Sequence, residues 1–174
     1  MSRESRVFAF EGAVPQLAKG VYLAPGARVI GRVTLGEDAS IWYNAVVRGD
    51  LDSIDIGART NVQDNSVIHI ESGKFATHIG SGVTIGHKAL VHACTIEDNC
   101  LIGMGSIILD GAVIEENSLV AAGAVVTPGT RIPAGSVAMG TPARVVRQVT
   151  DEEIASFRDS AAHYVELARR HDAS

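Results

Sequence analysis

Four of the six histidines in this 174-residue chain fall between Ile68 and Cys94, in the stretch IHIESGKFATHIGSGVTIGHKALVHAC. His69 and His92 each follow an aliphatic residue, Ile68 and Val91, whereas His87 stands one place further on, after Ile85 and Gly86. Neutral imidazoles that converge on one point hold a divalent ion at Zn–N distances of ~2.0–2.1 Å and leave it an open position for water or substrate. Imidazoles that do not converge are ordinary solvated or hydrogen-bonded surface groups. Which case applies depends on the scaffold that carries them.

That scaffold is a six-residue repeat with an aliphatic residue at its first position and a small or β-branched one at its fifth. First positions run from Leu23 and Val29 to Ile132 and Ala138, and fifth positions from Ala27 and Val33 to Thr130 and Ser136. Such repeats predict an all-β solenoid, a left-handed parallel β-helix whose coil has three flat faces, one hexapeptide per face, with coils stacked ~4.8 Å apart. Counting faces from Ile68 through Ile79 and Ile85 to Val91 returns to the starting face. His69 and His92 are therefore expected one above the other, both pointing outward. His87 belongs around a corner, and roughly five residues at ~3.3 Å each separate it along the chain from His92. A third ligand at His87 would have to come from a neighbouring chain, which predicts a closed homotrimer with equivalent metal sites at its interfaces.

The frame breaks in three places: three extra residues between Val47 and Ile56, five extra between Ile68 and Ile79, and one fewer between Val91 and Ile96. Extra residues in a solenoid are expected as extruded loops. If neither insertion adds a face, Arg48 lies beneath His69 in the same outward column, and Gln63 lies on the His87 face one coil lower. Residues 1–20 read as an N-terminal cap, with a short strand from Arg6 to Phe10 covering the open first coil. Residues 21–143 are the repeat region. Residues 144–174 hold an extended exit and a helix that starts with a capping box, Thr150 to Glu153, and buries a stripe of Ile154, Phe157, Ala161, Tyr164, Val165 and Ala168. The whole is one structural domain.

Composition fits that architecture and excludes others. The chain is 46% hydrophobic but only 5% aromatic, with 18 glycines, which suits a narrow coil filled by aliphatic residues with glycine at its corners. Fifteen Lys and Arg against 20 Asp and Glu give a net charge of −5 with no basic block, which argues against nucleic acid as a partner. No apolar run reaches 18 residues and the N-terminus carries no apolar leader segment, so no membrane association and a cytoplasmic location are expected. Two cysteines are too few for a disulfide framework. Cys100 falls on an inward position and reads as a buried, reduced thiol, and a bridge to Cys94 is disfavoured in that compartment.

Taken together, VVRGD at 46–50, NVQDNSVIH at 61–69, IGHKALVH at 85–92 and the C-terminal helix resemble the γ-class carbonic anhydrases and their relatives over nearly the whole chain. The resemblance implies that His69, His87 and His92 are metal ligands, with His87 supplied by the adjacent subunit of a homotrimer. It implies that Gln63 hydrogen-bonds metal-bound water and that Tyr164 lies near the active site. Arg48 and Asp50 would form ion pairs at the subunit interface, with Asp64 a partner of the arginine. Gln63, Tyr164 and Arg48 are thus candidate catalytic residues, although a purely structural role in holding the trimer together is favoured for Arg48, Asp50 and Asp64, and helix packing accounts equally well for Tyr164. The activity implied is reversible hydration of CO2 to bicarbonate by a metal-bound hydroxide. Zn2+ suits three nitrogens, and Fe2+ or Co2+ also accept imidazole. The loop after His69 is shorter than in the family's prototype, and it offers only Glu71 and His78 as proton relays. Alternatives are a hexapeptide acyltransferase, suggested by GTPARVVR at 140–147, an acyl-thioester hydrolase, and a non-catalytic metal-binding scaffold trimer.

Overall fold

The computed structural model describes residues 6–73 and 76–173; Lys74 and Phe75, within the expected relay loop, lie outside them. The hexapeptides wind into a left-handed parallel β-helix of about seven turns, with a single helix after it. Short strands stack in register from coil to coil and generate three faces. The first carries Val29, Val47, Ile68, Val91, Ile108 and Val126 in line. The second carries Leu35, Ile56, Ile79, Ile96, Ile114 and Ile132. The third runs from Leu23 through Val62 and Ile85 to Val120 and Ala138.

All these side chains point inward and are fully or almost fully buried. Burying an aliphatic side chain of this size is worth ~1.5–3 kcal/mol, and the columns repeat it at every coil. The period that places an aliphatic residue at each first position therefore also fixes the outward direction of its neighbours.

The ends and corners depart from the plain repeat. The extra residues between Val47 and Ile56 do not interrupt the strand: Val46–Ile56 is one continuous 11-residue strand, paired with Arg28–Leu35 on both sides of a register shift, and Asp50–Ser53 bulge between the Gly31–Gly49 and Val33–Ile54 pairs. Val7–Phe8 and Gln16–Leu17 join the first and second faces in parallel register with Val29 and Leu35, forming part of one more coil. The exit does not leave the coil. Ala143–Gln148 folds back antiparallel on Ser136–Gly140, giving the last coil's open edge a partner strand.

The helix Asp151–Asp172 begins at the expected capping box, in which Thr150 accepts from the Glu153 backbone and the Glu153 side chain accepts from the Thr150 backbone. Phe157, Ala161, Val165 and Ala168 are its buried residues, and it packs along the third face. Thr84 and Ser160 meet across that contact at 3.2 Å. At its C-terminal end Tyr22, Trp42, Tyr43, Tyr164 and His171 form an aromatic cluster, with the Tyr43 hydroxyl 3.0 Å from His171 Nδ1. Cys94 and Cys100 are unbridged and buried, and burial pushes both thiols up to about 12. Among the described residues no helix is long and apolar enough to cross a membrane.

Candidate metal centre

The strands Val67–His69 and Leu90–His92 are adjacent on the first face, with His69 directly opposite His92. Because Ile68 and Val91 point inward, both imidazoles project outward from the same column. Their rings lie 5.2 Å apart between centroids, and His69 Nδ1 is 3.2 Å from His92 Nε2. The outer nitrogen of each ring meets a carboxylate. His69 Nε2 is 3.0 Å from Asp50 Oδ1, and His92 Nδ1 is 2.5 Å from Asp110 Oδ1.

An ionised carboxylate can only accept, so each outer nitrogen is the protonated one. In neutral rings, the form that ligates a metal, each inner nitrogen then presents a lone pair to the other. Two lone pairs facing across 3.2 Å repel unless something positive lies between them. Two nitrogens bound ~2.0–2.1 Å from one tetrahedral ion stand roughly 3.3–3.4 Å apart. The residues present therefore fit a shared divalent ion, and each ring has the carboxylate behind it that orients a ligating histidine.

Asp50 is held from the other side as well. Arg48 donates to its second oxygen. Burial opposes the charge on Asp50, but the hydrogen bonds from His69 and Arg48 outweigh it and hold the carboxyl below its ordinary value. The Arg48–Asp50 pair lies within one chain, while Arg48 itself is 43% exposed.

His87 is elsewhere. It occupies the corner between the third and first faces, just before Lys88, whose φ of 59° turns the chain. Its Nδ1 is 2.8 Å from Asp64 Oδ2, in the coil below. Asp64 thus pairs with His87, not with Arg48, within the chain. Gln63, on the same face as expected, is buried, and its amide nitrogen donates to Asn61 Oδ1 at 3.1 Å, while Asn61 donates to Thr84. That relay fixes the amide's rotation and leaves Oε1 as the acceptor Gln63 can offer. Gln63 and His87 border a groove of about 490 Å³ whose other walls include Leu101, Met104, Leu119 and Ser160. Tyr164 packs edge-on against Trp42 with 5.2 Å between ring centroids. Burial raises its phenol, and the charge on Asp64 adds to the shift.

Within one chain, His69 and His92 are brought together, whereas His87, with Asp64 and Gln63 beside it, stands apart from them. Among the described residues, the group of three potential ligands lying within 4.8 Å of one another is Glu71, His92 and Asp110, without His87. Of the two suggested relays, Glu71 stands at the His92 ring. His78 lies on the second face, 3.2 Å from Asp55. Neither Asp110 nor Met104 stands out in the sequence, although the shortened corner after Val91 marks where Asp110 reaches down, and Met104 is the residue one coil above His87.

The architecture is that of a hexapeptide-repeat protein, and the bacterial transferase hexapeptide family (six repeats) matches residues 93–128. The chain is 43% identical to a carbonic anhydrase of Geobacillus kaustophilus, over 96% of this chain and 91% of that one. It is 48% identical to the mitochondrial gamma carbonic anhydrase 2 of Arabidopsis thaliana, over 90% of this chain. It spans 58% of that plant protein's length, and 65% of the length of Arabidopsis gamma carbonic anhydrase 1. A crystal structure of a hexapeptide transferase family protein from Anaplasma phagocytophilum superposes with a TM-score of 0.91 at 43% identity, covering 95% of this chain and 98% of the other. The chain belongs to the γ-carbonic anhydrase family.

Proposed function

We propose that this protein is a metal-dependent carbonic anhydrase that hydrates CO2 reversibly to bicarbonate at the interfaces of a homotrimer. The observation that carries the reading is the convergence of His69 Nδ1 and His92 Nε2 at 3.2 Å, each ring backed by a carboxylate. Family membership supports the reaction. When bound, a divalent ion, Zn2+ by the chemistry of three nitrogens, supplies Lewis acidity that makes water a nucleophile near neutral pH.

The remaining steps belong to the protein. His69 and His92 hold the ion from one chain, and His87 holds it from the next. Gln63, anchored through Asn61, offers Oε1 to orient the attacking oxygen. Glu71, beside His92, is placed to receive the proton that leaves. Asp50 holds Arg48 at the same edge, the edge that would face the neighbouring subunit in the proposed trimer.

Two surface features support assembly. On the first face an outward column of Val46, Val67, Leu90, Ile107 and Val125 runs beside the histidines, with Val67 38% exposed. Next to His87, Met104 is 57% exposed. An apolar column alongside a pair of ligands and an exposed methionine alongside the third suit two surfaces that cover each other, and a head-to-tail contact of this kind closes into a ring. The cytoplasm is the compartment this reading assigns.

The test is metal content by elemental analysis of the purified trimer, with stopped-flow CO2 hydration on the same sample and His87→Ala as control. The reading expects about one ion per chain and turnover in the wild type, and loss of both in His87→Ala. A metal-free wild type would exclude it. A metal-loaded but inactive trimer would favour the scaffold alternative.

A further inference from the structure

We propose that Asp110 is the positioning residue for His92: it fixes which ring nitrogen carries the proton and which way the imidazole faces. The inference rests on the metal-site reading above and names the group on which His92 depends.

The geometry is specific to this carboxylate. Asp110 lies in the coil above His92, at the corner that follows Ile107–Ile108. The two coils are out of step there. Val91 pairs with Ile108 and Ile96 with Ile114, so the lower corner spans one residue fewer than the upper one. The longer upper corner overhangs the shorter lower one, and the Asp110 carboxylate reaches down to His92 Nδ1 at 2.5 Å. Its backbone is pinned on both sides: Gly111 N donates to Ala93 O at 2.7 Å below, and Gly129 N donates to Asp110 O at 2.8 Å above. Among the described residues, the one polar partner of the Asp110 side chain is His92.

A separation of 2.5 Å from Nδ1 is a hydrogen bond, not the spacing of two ligands on one ion. Asp110 therefore acts through His92. Asp50 differs in this respect, because its carboxylate is shared between His69 and Arg48. Removing Asp50 would disturb Arg48 too, whereas removing Asp110 isolates the effect on one ring. A neutral imidazole without a partner divides its proton between its two nitrogens, and the form protonated at Nε2 cannot ligate through that atom. By accepting from Nδ1–H, Asp110 selects the form whose Nε2 lone pair faces His69.

The test has two arms. In metal-stripped protein labelled with 15N at histidine, the ring nitrogen shifts of wild-type His92 are expected to report Nδ1 protonated and Nε2 bare. Asp110→Ala is expected to move that proton toward Nε2, and Asp110→Asn, whose amide oxygen still accepts, to keep it on Nδ1. In the second arm, Zn2+ affinity is measured by competition with a chromogenic chelator. Asp110→Ala is expected to weaken binding about 10–100-fold and Asp110→Asn less, with the thermal midpoint of the stripped protein and its sedimentation unchanged. The same His92 tautomer in wild type and Asp110→Ala would overturn the proposal, as would equal Zn2+ affinity in the two. Should the wild type take up no ion at all, the metal-site reading fails, and the tautomer arm still decides the role of Asp110.

Discussion

His69 and His92 are alike in type, and the same frame makes them neighbours. Ile68 and Val91 occupy equivalent inward positions, so the next residue on each strand must point outward on the same column. That relation is legible in the sequence, because it needs only the repeat period. The partners of those rings are not. Asp50 reaches His69 from an insertion, and Asp110 reaches His92 because one corner is a residue shorter than the next; neither follows from counting sixes. Gln63 illustrates the same limit. Its face follows from the period, but its anchor, the relay through Asn61 to Thr84, depends on stacking across coils. The relay leads to an expectation at this scale: Gln63→Ala lowers CO2 turnover by roughly tenfold while metal content and assembly stay at wild-type values. Equal turnover in the variant would remove Gln63 from the mechanism, and loss of metal would make it a structural residue.

Among the elements, the short strands are legible in the sequence and the irregular segments less so. The insertion reads as a loop, yet the strand runs through it: Gly49 and Ile54 pair with Gly31 and Val33, and Asp50–Ser53 bulge between them without ladder partners. The exit at Ala143–Gln148 reads as a departure, but it returns as an antiparallel partner for Ser136–Gly140. Local sequence carries the signal for a strand and not for where that strand finds hydrogen-bond partners. The capping box is legible because its partners are three residues apart. Arg147 extends it: both guanidinium nitrogens donate to Glu153 at 2.7 Å, tying the returning strand to the helix start. That pairing, with the bond from the Thr150 backbone, lowers the Glu153 carboxyl to about 2 from an ordinary 4.5. A carboxyl depressed in the folded state adds stability that is complete above its unfolded value and is lost as pH falls toward the folded one. Thermal melts of wild type and Glu153→Gln should therefore differ by a constant amount above about pH 5 and converge as pH drops from 4.5 toward 2. A gap that does not change with pH would mean the charge on Glu153 contributes nothing.

At the scale of the whole molecule, the division of the centre into two half-sites is the feature with most consequence. His69 and His92 are in contact, whereas His87 turns to Asp64 at another corner. On the proposed reading, a catalyst built this way is incomplete as a single chain. The sequence contains the argument for that division, since the face count alone separates His87 from its partners. It does not contain the shape of the mating surfaces, which depends on outward side chains such as Val67 and Met104 that the frame leaves unconstrained.

Subunit mixing tests this division directly. His69→Ala and His87→Ala proteins, each purified alone, should bind little metal and hydrate CO2 poorly. After denaturation and refolding together in equal amounts, random assembly into rings should restore about one quarter of the sites, because one interface in four then combines His69 and His92 of one chain with His87 of the next. Recovery of metal and activity near that fraction is the predicted result; no recovery in trimers shown by mass to be mixed would contradict the account.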